Sequence, residues 1–92
     1  MKAASLTVVA TIKAKPGQEA VLRQELLNLI PITRKEPGCL NYDLHQAVDQ
    51  PGLFLFHENW TSKKHLDDHL ARPHLQAFLG KIDSFRRPEK EA

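Results

Sequence analysis

An apolar stretch in the second half of the chain carries one carboxylate among three aromatic side chains. Over residues 53–60, Phe54, Phe56, Glu58 and Trp60 occupy every second position and therefore face the same side of a β-strand. A largely apolar wall with one polar contact is typical of a small-molecule pocket. Burial would raise the pKa of Glu58 and suit it to acid–base work. The alternative is that the aromatics are core residues and that Glu58 pairs with a lysine or arginine.

Three histidines follow this stretch, all within the ten residues 65–74. His65 and His69 are four apart and share one side of a predicted helix, a spacing that can bind zinc when a third ligand joins them, but no such ligand is evident nearby. His69 lies beside the stripe formed by Leu66 and Leu70, so it is the better candidate to reach a cavity under the helix. Its reference pKa near neutrality suits a general base. A histidine that only borders the core is the alternative, and His74 is a weaker candidate of the same kind.

Tyr42 shares a predicted strand face with Leu40 and Leu44, so it is either a core residue or a group that bonds a substrate oxygen. Cys39 is the only cysteine, which excludes an internal disulfide, and no neighbouring histidine motif suggests a catalytic thiol. The sequence has no nucleophile elbow, phosphate loop or dinucleotide fingerprint. We therefore expect no flavin, nicotinamide or other cofactor, and no metal.

The elements that position these residues can be located from periodicity and from breakers. Residues alternate in strands and recur every three to four positions in helices. Pro31 is expected to end the first helix near Leu29, and Pro73 suits the first turn of the last helix. The pattern predicts strands over 6–13, 40–46 and 53–60, a helix from Gln18, a second helix capped by Thr61 or Ser62, and a third helix from Pro73 to Ile82.

The order strand, helix, strand, strand, helix, helix resembles a ferredoxin-like α+β unit that lacks its last strand. Its antiparallel sheet would carry helices on one face only. The strands that begin at Leu6 and Leu53 are apolar on both sides. The uncovered face is therefore expected to meet another sheet, which predicts a homodimer.

Length and composition point to one ordinary globular domain over residues 1–92, with a core of about 6–82 and a charged tail over 86–92. The net charge of +2 and the absence of long basic runs give no indication of nucleic-acid binding. No stretch reaches the roughly 20 apolar residues of a membrane span, and no secretory signal is evident. We expect a cytoplasmic protein without nucleic-acid or membrane partners.

Several short motifs, in a particular order, resemble the antibiotic biosynthesis monooxygenase domain family over roughly residues 6–80. They are Lys15-Pro16-Gly17 after a strand, Arg34-x-Glu36-Pro37-Gly38-Cys39-Leu40-x-Tyr42 after a helix, Glu58-x-Trp60 at a strand end, and His69-x-x-x-Pro73-His74-x-x-x-Phe78. Each motif alone is weak, but their order and spacing together are fairly specific.

The resemblance implies a dimeric α/β barrel, with a cavity between sheet and helices in each chain. Members of the family include cofactor-free oxygenases of quinol-like or polycyclic aromatic substrates, haem-degrading proteins and an isomerase of a phosphorylated signalling compound. The haem-degrading members use an asparagine and a histidine where this chain has Ala10 and Leu79, so haem degradation is not expected. The family usually closes its sheet with a C-terminal strand, for which residues 84–92 are a poor match.

Three functions are consistent with the sequence: a cofactor-free monooxygenase of a small aromatic substrate, an isomerase of a small phosphorylated metabolite, and a non-catalytic dimeric binding module. The isomerase would need basic groups at the pocket mouth, for which Lys63, Lys64 and Arg72 are available. The first function is favoured. Its predicted catalytic residues are His69, Glu58 and Trp60, and its predicted substrate-binding residues are Tyr42, Phe54, Phe56 and His74.

Overall fold

The computed structural model describes residues 5–87, and the order of elements within them is the predicted one. The elements are β1 (Leu6–Lys13), α1 (Glu19–Thr33), β2 (Cys39–Gln46), β3 (Leu53–Trp60), α2 (Lys63–Leu70) and α3 (Pro73–Lys81), followed by a 3-10 turn at Ile82–Ser84. Among these residues, no helix is both long and apolar enough to cross a lipid bilayer.

The three strands form one antiparallel sheet in the order β1-β3-β2, with β3 in the centre. Side chains alternate along β1 and β3, and on β3 every second residue from Phe54 to Trp60 is buried. The helices cover this inner face. The predicted fold class, a ferredoxin-like antiparallel sheet with helices on one face, is confirmed.

The prediction for the start of β2 was wrong at one residue. Leu40 was expected to face inward with Tyr42 and Leu44, but it is more than half exposed. A β-bulge is the reason, since Cys39 pairs with Trp60 while Asn41 pairs with Asn59, so Leu40 is the extra residue. Alternation therefore changes phase at Leu40, and it is Cys39 that packs against the core.

The predicted end of α1 near Leu29 was also wrong, because the helix continues through Pro31 to Thr33. Proline lacks one amide hydrogen bond, but Pro31 lies on the exposed side of the helix, where little packing depends on it. Leu29 and Thr33 are buried on the opposite side and anchor the last turn. The Arg34 N–H then donates to the carbonyl of Ile30 and closes the helix.

The turn between α1 and β2 depends on Gly38. Its φ of +83° lies in the left-handed region that side chains disfavour. A Cβ built on Gly38 would lie only 2.3 Å from Cγ of His65, in the first half of α2. Glycine therefore allows both the turn and the close contact with α2.

The starts of α2 and α3 follow the predicted signals. Ser62 is the N-cap of α2, and its hydroxyl accepts a hydrogen bond from the His65 N–H. Pro73 lies in the first turn of α3, where its missing amide proton is not needed. These two helix starts determine where His69 and His74 fall relative to the sheet.

The packed core extends beyond the predicted boundary at residue 82, because Phe85 is buried against Phe78. Ala14 and Arg86 then form a single antiparallel bridge, and the Arg87 N–H donates to the carbonyl of Lys13. Residues 85–87 thus pair with the end of β1 where a fourth strand would begin. The rest of the predicted charged tail, 88–92, lies outside the described residues.

The outer face of the sheet has no helix over it among the described residues. A row of hydrogen bonds crosses this face, from the Thr7 hydroxyl to Asn59 and from the Asn59 amide to Oδ1 of Asn41 at 2.7 Å. Val9 and Leu55 provide apolar surface beside this row, and Val9 is 60% exposed. The outer face is therefore both apolar and polar.

Candidate active site

A cavity of about 430 Å³ lies between the inner face of the sheet and helices α2 and α3. Its walls include inward side chains of β2 and β3, the buried histidine of α2 and apolar residues of α3. Residues 8–12 of β1 all line it in succession. The cavity therefore opens along the free edge of β1, where the described residues place no neighbouring strand before the bridge at Ala14.

His69 lies in the last turn of α2, faces the cavity and is almost fully buried. The prediction from helical spacing that His69 would face inward is confirmed. Its Nδ1 is 2.9 Å from Oε2 of Glu36, a geometry in which the ring N–H donates to the carboxylate. This bond uses Nδ1, so Nε2 is the ring nitrogen left to act on a ligand.

Glu36 is a residue of the candidate site that sequence reasoning did not single out. It follows α1 in the turn before Gly38, and its side chain is only 5% exposed. A carboxylate buried beside a histidine ring is the usual means of fixing which ring nitrogen carries the proton. The one available signal was its position in the motif from Arg34 to Tyr42, which was used for the family resemblance and read as a turn but not as a source of site residues.

Trp60 connects two of the predicted catalytic residues. Its ring packs on the His69 ring with centroids 4.7 Å apart and planes tilted by 30°. Its indole N–H donates to Oε1 of Glu58 at 2.9 Å. Burial raises the pKa of Glu58 above its ordinary value, although the Trp60 bond and the nearby His69 act in the opposite direction. Glu58 therefore gains a tendency to hold its proton.

Tyr42 and Phe56 form the other aromatic part of the cavity wall. Their rings stack with centroids 4.5 Å apart, and the edge of Tyr42 meets His69 at 5.5 Å. Burial is the main cause that raises the pKa of Tyr42 well above its ordinary value, and the charge of Glu58 adds to it. Tyr42 therefore stays protonated and can donate a hydrogen bond to a ligand.

His74 lies behind His69, away from the cavity. Its Nε2 is 3.2 Å from the same Glu36 oxygen and 3.0 Å from the hydroxyl of Thr33. The guanidinium of Arg72 approaches the other Glu36 oxygen at 3.5 Å. Burial lowers the pKa of His74, although Glu36 opposes the change. Glu36 is thus the centre of a buried polar cluster.

Glu36, His69 and His74 are also the described residues that come closest to a metal-ligand set, with one donor atom each inside a 4.8 Å span. The imidazole of His69 is hydrogen-bonded to the Glu36 carboxylate, whereas that of His74 is hydrogen-bonded to the Thr33 hydroxyl and lies at ion-pair distance from the carboxylate. The positive charge of Arg72 beside Glu36 opposes a cation there. The His65–His69 spacing does not make a site either, because His65 bonds Thr61 and Ser62 instead.

Four of the seven predicted site residues thus line the cavity, and three do not. Tyr42, Phe56, Glu58 and His69 line the cavity. Trp60 is fully buried and acts on the cavity through its contacts with His69 and Glu58, and Phe54 is a core residue that lies elsewhere. His74 reaches the site only through Glu36.

Ala10, Leu79 and Arg86 are three further residues of the cavity lining. Ala10 and Leu79, at the positions where haem-degrading members place their asparagine and histidine, both line it with apolar side chains. Arg86 also lines it and pairs with Asp83 at 2.7 Å. The cavity is therefore apolar on most sides, with polar groups gathered around His69.

Comparison with known proteins agrees with this architecture. The family model described as "Antibiotic biosynthesis monooxygenase" matches residues 5–81. The "Probable quinol monooxygenase YgiN" of Escherichia coli K12 is 37% identical over 84 residues, which cover 79% of this chain and 80% of that protein.

Two solved structures are similar over almost the whole chain. The crystal structure of PA3566 from Pseudomonas aeruginosa superposes with a TM-score of 0.90 at 35% identity, covering 94% of this chain and 87% of the other. The structure of Rv0793 from Mycobacterium tuberculosis gives a TM-score of 0.86 at 30% identity, covering 92% and 87%. The chain therefore belongs to the antibiotic biosynthesis monooxygenase family.

Proposed function

We propose that this protein is a cofactor-independent monooxygenase that oxidises a quinol-like or polycyclic aromatic substrate with molecular oxygen. The observation that carries the proposal is the orientation of His69. A buried carboxylate holds one ring nitrogen, and a tryptophan holds the ring plane, so the other nitrogen is available to an apolar cavity. That is the arrangement expected of a preorganised general base.

Family membership supports the reaction class, and the name of the E. coli relative supports a quinol as substrate. The cavity supports the substrate class independently. Its volume of about 430 Å³ falls within the range of small-molecule sites, and aromatic and aliphatic side chains form most of its wall. Such a space suits an aromatic compound with few polar groups.

The reaction begins with transfer of a phenolic proton. Nε2 of His69 forms a bond to this proton as the substrate O–H bond breaks, and the electron pair stays on the substrate oxygen. The resulting electron-rich anion gives electrons to O₂, and a ring carbon forms a C–O bond to one oxygen atom. Loss of water from the hydroperoxide completes the reaction. Quinol and O₂ thus give hydroxyquinone and water: the ring loses four electrons and O₂ gains four.

The other residues of the cavity wall bind and orient the substrate. Tyr42 and Glu58 have raised pKa values, mainly through burial, so in their protonated forms they are donors for substrate or peroxide oxygens. Phe56, stacked on Tyr42, offers a flat apolar surface to an aromatic ring. Trp60 keeps both His69 and Glu58 in place, and the apolar lining disfavours water around the reacting groups.

The two other functions have less support from the cavity. A phosphorylated substrate requires basic groups at the site, yet Lys63 and Lys64 pair with Asp67 and Asp68 on the exposed side of α2. Arg86 is the cation among the described lining residues. A non-catalytic binding module would not need a histidine oriented by a buried carboxylate.

The homodimer is part of the same proposal. The outer face of the sheet has apolar surface at the exposed Val9 and the half-buried Leu55, beside a row of amides and hydroxyls that already bond one another. A second copy of the sheet would cover the apolar surface without leaving these polar groups unpaired. Each cavity would then lie on the helix side of its own sheet. The cytoplasmic location stays a prediction.

The test is oxygen consumption with a panel of reduced quinones and polycyclic phenols, using protein treated with chelator and free of absorbing flavin. His69→Ala is expected to lower the rate by about 100-fold or more, in line with the loss of a general base. His45→Ala, at an exposed position on β2, is the matched control and is expected to keep the rate. Absence of uptake with every compound, or full activity of His69→Ala, would overturn the proposal.

A further inference from the structure

The buried cluster around Glu36 lies between two separate spaces. On one side, His69 lines the cavity. On the other side, Glu36 and His74 line a groove of about 560 Å³ between the end of α1 and the junction of α2 and α3, together with Lys35 and Arg72. A chain of ionisable groups therefore joins the cavity to this groove.

The side chains of this chain lie close to one another. His69 Nδ1 is hydrogen-bonded to Glu36 Oε2 at 2.9 Å, and that oxygen lies 3.2 Å from His74 Nε2, an ion-pair distance. Since His74 Nε2 is hydrogen-bonded to the Thr33 hydroxyl, a small rotation of the ring is needed before it can receive a proton from Glu36. The side chains of His69 and Glu36 are 3% and 5% exposed, whereas that of His74 is 14% exposed. Solvent contact thus begins at His74.

We propose that Glu36 and His74 form a proton relay that carries the substrate proton from His69 in the cavity to water in the outer groove, and later returns one. The relay rests on the proposed oxygenase function. His69 gains a proton on Nε2 and releases its Nδ1 proton to Glu36 Oε2. Neutral His74 carries its ring proton on Nδ1 in this step, so Glu36 passes its proton to the free Nε2, and His74 releases the Nδ1 proton to groove water.

The return path balances the reaction. When the peroxide anion has formed on the substrate, His69 donates its Nε2 proton to the peroxide oxygen. A proton from groove water then passes through His74 and Glu36 to Nδ1 of His69. His69 is again protonated on Nδ1, as at the start. One proton leaves the cavity and one re-enters, which agrees with a reaction that releases only hydroxyquinone and water.

The separation of charge is the advantage of such a relay. If the proton remained on His69, it would return to the substrate anion much faster than O₂ reacts. Removal of the proton to the groove leaves the anion beside a neutral imidazole and prolongs its lifetime. The relay thus assigns to Glu36 and His74 a positioning and proton-carrying role, without contact with the substrate.

The charges that face the relay favour it. Arg72, 3.5 Å from the other Glu36 oxygen, stabilises the carboxylate between transfers. Burial lowers the pKa of His74, and the charges of His69 and Arg72 lower it further, while Glu36 raises it. The lowered pKa favours the neutral form of His74, which can accept a proton. Lys35 lines the same groove and adds positive charge, which favours release of the proton.

The first test does not depend on activity. The chain has five histidines, so ¹⁵N labelling of histidine followed by NMR gives few ring signals, and single variants assign them. The relay requires neutral His69 to carry its proton on Nδ1 and requires the titrations of His69 and His74 to be coupled. Glu36→Gln is expected to uncouple them. A His69 ring protonated on Nε2, or independent titrations in the wild type, would overturn the relay.

The second test uses oxygen consumption in weak buffer. His74→Gln keeps a hydrogen-bonding side chain that cannot carry a proton, and it is expected to lower kcat by about tenfold, a part of the effect of the base itself. Added imidazole should restore the rate by reaching the groove. His45→Gln is the control at an exposed position. Full kcat of folded His74→Gln without imidazole contradicts the relay. Coupled titrations in a protein that consumes no oxygen would refute the oxygenase instead.

Discussion

Trp60 donates its indole N–H to Oε1 of Glu58, two residues earlier on the same strand, at 2.9 Å. The bond is possible because residues two apart on a strand point the same way. Both residues are buried, so the bond lies in a low-dielectric environment where a charged carboxylate is costly. The Trp60 side chain thus makes a hydrogen bond to Glu58, the acid of the candidate site, and also packs on the ring of His69, the proposed base.

The raised pKa of Glu58 predicts a pH dependence of stability. Burial raises this pKa in the folded protein, so over the range from the ordinary carboxyl pKa up to the folded value the folded state holds a proton that the unfolded chain has lost. The free energy of unfolding therefore falls as pH rises through that range. Glu58→Gln lacks this contribution. Urea unfolding of both proteins from pH 4 to pH 8 should show that the wild type loses stability relative to the variant, and parallel curves would contradict it.

Trp60→Phe tests the hydrogen bond between the indole and Glu58. The substitution keeps an aromatic ring near His69 but leaves a buried carboxylate oxygen without its donor, which costs about 1–3 kcal/mol. Tyr42→Phe is the comparison, because it removes one hydroxyl and keeps the stack on Phe56, with an expected loss of about 1 kcal/mol. Chemical denaturation should rank Trp60→Phe as the more destabilised, and equal or reversed losses would argue against the bond.

Glu36→Gln tests the centre of the buried cluster. The amide cannot serve two imidazoles and a guanidinium as the carboxylate does, so we expect a loss of stability of about 1–3 kcal/mol and a rate of oxygen consumption at least about tenfold lower. Asp67→Asn makes the same chemical change in an exposed ion pair with Lys63, and should alter stability by less than about 0.5 kcal/mol. Similar losses of stability and of oxygen consumption in the two variants would contradict a special role of the buried cluster.

Gly38→Ala tests the close contact between the turn and α2. Alanine in the left-handed region costs about 1–2 kcal/mol, and its Cβ would also collide with His65. The turn carries Glu36, so activity should fall together with stability. Gly80→Ala in α3 is the matched control: a Cβ there meets nothing within 4 Å, and the higher helix propensity of alanine should stabilise the protein by up to about 1 kcal/mol. Thermal unfolding separates the two, and a neutral Gly38→Ala would contradict the prediction.

Leu55→Lys tests the proposed dimer. Leu55 lies on the outer face of the central strand, so a lysine there would place a charge in a sheet-to-sheet interface. We expect the wild type to have the solution mass of a dimer and the variant to shift towards a monomer. Val48→Lys, in the fully exposed loop between β2 and β3, should leave the mass unchanged. A wild-type monomer at micromolar concentration would contradict the dimer.

Periodicity along the sequence predicted those features of the fold that depend on residues close together in the chain. Alternation along residues 53–60 correctly placed Glu58 and Trp60 on the buried face, because each side of a strand has a two-residue period. The same rule failed at Leu40, since a bulge adds one residue without a sequence signal. The rule that proline ends helices failed at Pro31, where burial of Leu29 and Thr33 outweighs one missing hydrogen bond.

The candidate site was predicted less completely because its main contact is not local. Glu36 and His69 are 33 residues apart, and no periodicity relates a turn residue to a helix residue. His69 could be found from its place beside an apolar stripe. Its partner could be found only once the turn at Gly38 and the α2 helix were seen in contact. His74 was singled out for a ligand and instead contacts Glu36.

The free edge of β1 also makes the state of the cavity measurable without a substrate. In an antiparallel pair every second amide of β1 points away from β3, and within residues 5–87 no strand covers these amides before Ala14. They are expected to exchange their protons with deuterated water quickly, while their alternate neighbours exchange slowly. Closure of the cavity along this edge is therefore expected to slow hydrogen exchange at the outward-pointing amides before it affects their neighbours. Along one strand, therefore, the exchange rates of neighbouring amides record whether the cavity is open or closed.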